Sequence, residues 1–357
     1  MKIDNNLIKK LIINWYDSNK RDLPWRKKIH NISSKPYFVL VSEFMLQQTT
    51  VNTVKKRYPE FLKKWPTIKE LSKASESQIL KFWSGLGYYN RAKNLLKSSK
   101  IINKKFNGKV PRIKKDLLSL PGIGIYTSNA ILGIGYNKPV MAIDANIIRI
   151  ITRIYGLTGM PSKISKEIEI YANRLILKKR SGDMIQALMD FGSLVCKPRN
   201  PICNKCLIKK NCKAFNKKLT DIIPLKKTIN KKNKSLKFAH AFVIFYKDKK
   251  ILLRKRPSKG MLPSMMEIPT SEWLNKGIKK NEIMKTSPLK LNYRKIDNPI
   301  TYSFSHFDIK ITILVGNTNK SKIKNFKWYS LNNINNLELP TLMKVIINKS
   351  LKDRALN

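Results

Sequence analysis

Acidic residues, cysteines and long apolar runs are all scarce in this 357-residue chain. The 22 Asp and Glu stand against 73 Lys and Arg, a formal net charge of +51. Such a field draws a protein to polyanions, which makes nucleic acid the leading partner class. Lys, Asn and Ile are abundant along the whole chain, however, so part of the excess reads as compositional bias rather than as a dedicated binding face. No apolar run approaches membrane-spanning length, and Met1-Lys2-Ile3-Asp4 lacks a signal-peptide core. Neither a membrane-embedded nor a secreted protein is expected, and a reducing cytoplasmic setting follows. The 42% hydrophobic content is ordinary, and the length suits two domains, each with its own core. Internal repeats of solenoid type are absent.

The few cysteines sit together, as Cys196-x6-Cys203-x2-Cys206-x5-Cys212. Disulfides explain this poorly, because Cys203 and Cys206 are too close in sequence to pair readily and no cysteine elsewhere is available. A metal centre is the default reading. Zinc and an iron-sulfur cluster both accept four thiolates, although zinc ribbons usually join two Cys-x-x-Cys knuckles and this run has one.

Up to about Cys212 strand signals are nearly absent and the periodicity is helical, with amphipathic stretches at Leu7 to Tyr16, Tyr37 to Leu46, Tyr88 to Ile102 and Ile164 to Leu177. The stretch from Lys226 to Lys234 is polar and basic without apolar periodicity, and reads as a linker. Beyond it the period becomes that of strands: Phe238 to Tyr246, a Lys-Asp-Lys turn, Ile251 to Arg254, then Phe307 to Val315, with a closing helix at Leu342 to Leu351. The expected organisation is an all-α domain over 1–215, a basic linker over 216–235 and an α+β domain over 236–357.

Several segments carry chemistry. Leu120-Pro121-Gly122-Ile123-Gly124-Ile125-Tyr126-Thr127 reads as a helix-hairpin-helix, in which Gly122 and Gly124 permit a tight turn whose backbone N–H groups can hold a DNA phosphate. An ordinary Pro-Gly corner explains the same residues. About twenty residues on, an apolar approach ends at Asp144-Ala145-Asn146, where the acid in isolation is a good helix N-cap. Glu43 is the lone charge in Tyr37-Phe38-Val39-Leu40-Val41-Ser42-Glu43-Phe44-Met45-Leu46-Gln47-Gln48-Thr49. Its helical neighbours Val39, Leu40, Leu46 and Gln47 should partly desolvate it, raising its pKa toward what a general acid needs. In Trp83-Ser84-Gly85-Leu86-Gly87-Tyr88-Tyr89-Asn90-Arg91 a glycine loop presents aromatics beside a basic helix, suited to wedging into a duplex when a base leaves the stack.

These motifs, in this order and over nearly the whole chain, resemble the MutY-type adenine glycosylases of the endonuclease III, or helix-hairpin-helix, superfamily. The resemblance implies a helical glycosylase domain with an iron-sulfur loop, followed by a Nudix-like (MutT-like) α+β domain. It implies one [4Fe-4S] cluster on Cys196, Cys203, Cys206 and Cys212. Glu43 would protonate adenine and activate water, Asp144 would stabilise the sugar cation, and Tyr126 and Asn146 would order them. Bifunctional relatives carry a lysine nucleophile where this chain has Tyr126, so base removal without strong lyase activity is implied. Arg26 of Leu23-Pro24-Trp25-Arg26, Gln47, Gln48 and Tyr88 match family residues at the DNA, Tyr88 as the intercalating one. Arg256-Pro257-Ser258-Lys259-Gly260 and Phe304-Ser305-His306-Phe307 resemble the C-terminal recognition domain, with Ser305 and His306 on the 8-oxoguanine opposite the adenine. The stretch after Gly260 lacks the acidic box of Nudix hydrolases, which implies a reader without hydrolase activity. The implied partner is double-stranded DNA with adenine opposite 8-oxoguanine or guanine. A monomer, nucleoid-associated in a bacterial cytoplasm, is expected, with an endonuclease acting on the abasic product downstream.

Overall fold

A computed structural model describes residues 3–27, 35–225, 234–257, 260–277, 280–304 and 306–355. The chain packs as two compact units, Met1–Ala74 with Asn94–Thr228, and Ser75–Lys93 with Ile229–Asn357. The helices through the cysteine loop are α1 (Asn5–Asn19), α2 (Lys35–Leu46), α3 (Val51–Lys64), α4 (Ile68–Ser72), α5 (Glu76–Trp83), α6 (Asn90–Lys105), α7 (Lys114–Leu118), α8 (Ile125–Ala130), α9 (Ala145–Tyr155), α10 (Ser165–Asn173), α11 (Ser181–Leu194) and α12 (Lys213–Asn216). Many starts are fixed by side chains that satisfy free N–H groups: Asp4 caps α1, Thr50 caps α3, and Thr67 with Glu70 and Ser75 with Gln78 form capping boxes on α4 and α5.

In the first unit α2 is central. Apolar residues occupy nearly all its sides and are buried, as expected of a helix enclosed by neighbours. One neighbour is a π-helical turn, Ile131–Gly135, that continues α8. Glycine lets this turn approach closely: a Cβ on Gly135 would stand 3.0 Å from the Pro36 Cα, and one on Gly133 only 2.3 Å from the Ile185 Cδ1 of α11. That close packing holds α8, α2 and α11 in one layer, and α8 brings Tyr126 with it.

The second unit is built on a seven-stranded mixed sheet: β1 (Ser235–Tyr246), β2 (Lys250–Lys255), β3 (Met266–Glu267), β4 (Arg294–Lys295), β5 (Ile300–Ser303), β6 (Phe307–Thr318) and β7 (Lys327–Ser330), with a short α13 (Lys280–Ile283) and a closing α14 (Thr341–Ala355). The order is β3-β2-β1-β6-β4, with β5 also on β6 and β7 also on β2. β1 and β6 run parallel from Ser235↔Phe307 to Tyr246↔Thr318. Ala239, Ala241, Val243 and Phe245 share a core with Leu342, Met343, Ile346 and Ile347 of α14, while Phe242 and Ile244 pack on the other face with Leu252. A strand covered on both faces explains the continuous apolar run Ala241 to Phe245. Lys247 and Asp248 turn β1 into β2 with φ of 44° and 55°, the left-handed pair that tight hairpins use.

The all-α then α+β organisation agrees with the sequence. α6 begins at Asn90 rather than Tyr88, because Tyr88 has a φ of 47° and lies outside any helix. α10 stops at Asn173, short of Leu177. Of the linker expected over 216–235, Asn216 ends α12, Ile223 is buried with Cys212 and Ala214, and Ser235 opens β1, so the first unit runs past 215; residues 226–233, like 28–34, lie outside the described residues. Nothing in composition marks Ser75–Lys93 as part of the second unit. Among the described residues no helix is long and apolar enough to cross a membrane.

Candidate active site

Three elements of the first unit bring an acid, a phenol and a second acid together. α2 carries Glu43, which is only 7% exposed and hydrogen-bonds Tyr126 from the first turn of α8. Loss of hydration raises the Glu43 pKa to about 7, and the Asp144 charge pushes the same way; the Tyr126 hydrogen bond and Arg26 oppose them. Burial, reinforced by Glu43, holds the Tyr126 phenol far above its ordinary pKa, so it remains a neutral donor. Asp144 caps α9, accepting from the Ile147 N–H at 2.8 Å and from Asn146 Nδ2 at 2.7 Å. The capping expected of Asp144 is present, and its carboxylate lies close enough to Glu43 to raise that group's pKa. Burial raises its pKa too, but those hydrogen bonds favour the ionised form, and Glu43 has no comparable set of donors.

Behind Asn146 stands a residue the sequence reading missed. Arg149, 6% exposed, donates through its NH2 to Asn146 Oδ1 at 2.8 Å and to the Gly192 carbonyl at 2.6 Å, and through Nε to the Cys196 carbonyl at 2.7 Å. A Cβ on Gly192 would come within 2.7 Å of the Asn146 Cβ, so glycine is needed there. The only sequence signal was an arginine three residues after Asn146 on a helix otherwise rich in isoleucine.

Arg149 leads to the cysteines. Cys196, Cys203, Cys206 and Cys212 all line one cavity, walled by apolar groups including Ile150, Phe191 and Ile208. The fully buried Arg153 reaches in, its NH1 3.3 Å from the Cys196 Sγ. Burial pushes the Cys206 and Cys212 thiols up to about 12 and about 11, so a metal centre bound here must displace their protons. Among the described residues no three His, Cys, Asp or Glu are grouped to hold a single metal ion. Four thiols on one apolar-walled cavity are a donor set that zinc and an iron-sulfur centre both accept.

The other expected residues are distributed as follows. Gly122 has a φ of 80°, and a Cβ on it would meet Phe44 Cε1 and Asn94 Cβ at 2.9 Å, while Gly124 caps α8 at a φ of −98° with open space beside it. Only the first glycine is required by the turn, which Ser98 fixes through a 2.8 Å hydrogen bond to the Pro121 carbonyl. Gln47 Nε2 stands 3.5 Å from Thr127 Oγ1, and Gln48 is exposed with a φ of 55°. Arg26, expected at the DNA, gives Nη1 and Nη2 to the buried Asp190 carboxylate at 2.5 and 3.0 Å; Asp190 also takes the Arg21 Nε at 2.6 Å. Beside Arg26 opens a cavity lined also by Tyr16, Trp25, Ile134 and Gln186, whose amide donates to the Gly182 carbonyl at 3.1 Å. In the second unit Tyr88 is exposed at the loop between α5 and α6, and His306 is exposed at the entry to β6. Ser305 lies outside the described residues.

Comparison with known proteins follows the same division. Residues 41–173 match the family described as "HhH-GPD superfamily base excision DNA repair protein", and residues 240–349 match "NUDIX domain". An "Adenine DNA glycosylase" of Buchnera aphidicola subsp. Schizaphis graminum (strain Sg) is 34% identical, over 94% of this chain and 96% of its own length. The "Adenine DNA glycosylase" of Homo sapiens is 36% identical over 57% of this chain and 38% of its own length. A solved "thermostable thymine-DNA glycosylase" superposes with a TM-score of 0.54 at 32% identity, covering 60% of this chain and 97% of its own.

Proposed function

Because the chain belongs to the MutY-type adenine DNA glycosylases, helix-hairpin-helix enzymes of base excision repair, we propose that it hydrolyses the N-glycosidic bond of adenine mispaired with 8-oxoguanine or, less preferred, guanine. The observation that carries this reading is the pairing of a buried Glu43, whose pKa burial raises to about 7, with a hydrogen-bonded Asp144. The adenine must first leave the duplex, since its sugar bond is unreachable in the stack. Glu43 gives its proton to a ring nitrogen, the bond from C1′ to the base breaks with its electron pair leaving on adenine, and Asp144 stabilises the cationic sugar. Glu43, now ionised, takes a proton from water, whose oxygen bonds C1′; free adenine and an abasic site result. Tyr126 holds the Glu43 carboxyl and offers no amine for a Schiff base, so the strand stays intact.

Cys196, Cys203, Cys206 and Cys212 would hold a [4Fe-4S] cluster, which supplies a fold-organising centre for the basic loop that includes Lys197, Lys205 and Lys209. We assign lesion reading to the second unit, with Ser305 and His306 at the 8-oxoguanine. A thymine-specific enzyme is the closest rival, but the thymine-DNA glycosylase leaves 40% of this chain unmatched, whereas the adenine relatives span both units. The test is a set of duplexes with adenine or thymine opposite 8-oxoguanine or guanine, scored for free base and for strand breaks with and without hot alkali. Adenine release with alkali-dependent breaks is expected. Thymine release, or breaks without alkali, would overturn the assignment.

A further inference from the structure

Two buried guanidiniums on one side of α9 meet the cysteine loop. Arg149 and Arg153 are four positions apart, neighbours on the helix surface, and only 6% and 2% exposed. Arg149 donates to the Cys196, Ala145 and Gly192 carbonyls and to Asn146 Oδ1, and it reaches Asp144 only through that amide. Arg153 donates from Nε to the Ile223 carbonyl at 2.9 Å, and from Nη1 to the Lys197 carbonyl at 2.7 Å and to Cys196 Sγ at 3.3 Å. Among the described residues neither forms an ion pair with a carboxylate: the partners are carbonyls, one side-chain amide and a cysteine sulfur. Such hydrogen bonds satisfy the donors but leave two buried positive charges without a counter-charge, which is costly away from water.

The missing charge has one place to come from. Arg153 is in the wall of the cavity that all four cysteines line, and it meets both ends of their run: Cys196 through its side chain, and Cys212, whose Sγ stands 3.4 Å from the Arg153 carbonyl. Cysteines that bind a metal centre do so as thiolates and supply negative charge at that spot. Oxidising an iron-sulfur centre makes it less negative and so weakens its attraction to a buried cation beside it, whereas a cation there holds the centre in its more reduced form. We propose that Arg153 is the counter-charge of the cluster and protects it from oxidation, beyond holding the loop through the Lys197 and Ile223 carbonyls. This rests on the reading of the four cysteines as ligands of an iron-sulfur cluster.

The test compares anaerobically purified parent protein with Arg153→Met, Arg153→Gln and Arg153→Lys. Iron and zinc content, thermal unfolding and the midpoint potential for oxidation of the bound cluster, followed by its visible absorbance, are measured on each. In the two neutral variants the potential should move down, so that at the parental midpoint the oxidised-to-reduced ratio rises about tenfold, or about 59 mV for one electron. Arg153→Lys keeps the charge and should restore most of the potential, even where melting stays low. Clusters that keep the parental potential in Arg153→Met and Arg153→Gln, while iron content and melting fall, would reduce Arg153 to a fastening of the loop and overturn the inference. A shift in Arg153→Lys as large as in Arg153→Met would overturn it too. Where neither neutral variant retains iron, retention by Arg153→Lys upholds the need for charge, and loss in all three refutes it. Zinc in place of iron in the parent would remove the cluster reading and this inference together, whereas the other refuting results leave the cluster reading standing.

Discussion

Replacing Glu43 with glutamine should abolish adenine release and at the same time stabilise the fold, in a pH-dependent way that identifies the cause. Burial raises the Glu43 pKa from 4.5 to about 7. Below about pH 4 the carboxyl is protonated both folded and unfolded, and it contributes nothing. As pH rises past 4.5 the unfolded carboxyl ionises while the folded one keeps its proton, so stability falls until the folded group also titrates near pH 7. A difference of about 2.5 units at about 1.4 kcal/mol each makes the full cost about 3.5 kcal/mol, of which about 3 kcal/mol is present by pH 7 and under about 1 kcal/mol at pH 5. Glutamine escapes this cost and can still bond the Tyr126 hydroxyl. Chemical or thermal unfolding of the first unit should therefore place Glu43→Gln ahead of the parent by about 2 to 3 kcal/mol at pH 8, with the gap closing toward pH 5. The same titration should make parental adenine release fall as pH rises through about 7, because the donor form is lost. A stability gap independent of pH, or release retained by Glu43→Gln in single turnover, would refute the reasoning.

Gly122→Ala should cost about 1 to 3 kcal/mol and weaken duplex binding, because its Cβ meets Phe44 and Asn94 at 2.9 Å and its φ of 80° resists a side chain; Gly124→Ala, with open space and ordinary φ, should leave melting unchanged. Arg149→Ala removes donors to Asn146, Gly192 and Cys196, and should slow adenine release at least tenfold while lowering stability by about 2 to 3 kcal/mol, read by single-turnover rates and unfolding. Cys203→Ser should lower iron content, the visible absorbance of the cluster and DNA affinity together; full occupancy by zinc in anaerobically purified parent protein would count against a cluster.

The sequence marked the site wherever one residue's chemistry was conspicuous against its neighbours. Glu43 stood out as a single charge in an apolar helix, the four cysteines as the chain's entire supply, and Gly122 as the residue of a turn that admits no Cβ. Partnerships were not legible in the same way. Arg149 looks like one more basic residue until the fold brings Gly192 and Cys196 to it from more than forty positions away. Nothing in a linear chain announces Asp190 as the partner of Arg26, 164 positions away. The short strands β3, β4, β5 and β7 escaped because two to four residues carry too little alternation to register; they are strands only because the long β2 and β6 supply a hydrogen-bonding edge. The attachment of Ser75–Lys93 to the second unit was hidden for a similar reason, since it depends on single side chains such as Lys93 and Ser77 finding partners far along the chain.

The two carboxyl groups illustrate how one fold assigns opposite roles to like residues. Glu43 projects from the middle of a helix, where the backbone N–H groups are already used, so burial dominates and the acid keeps its proton. Asp144 stands at a helix start, where free N–H groups must be satisfied, and its negative charge meets both that need and the positive end of α9. The position on the helix therefore gives the two like groups different surroundings, as the proposed roles of donor and stabiliser require. What keeps Asp144 in place is Asn146, what keeps Asn146 in place is Arg149, and Arg149 is held by a carbonyl of the first cysteine. The proposed cluster on the cysteine loop would thus fix the far end of a hydrogen-bonded chain whose near end is the carboxylate proposed to stabilise the sugar cation, tying its integrity to the chemistry without requiring it to react.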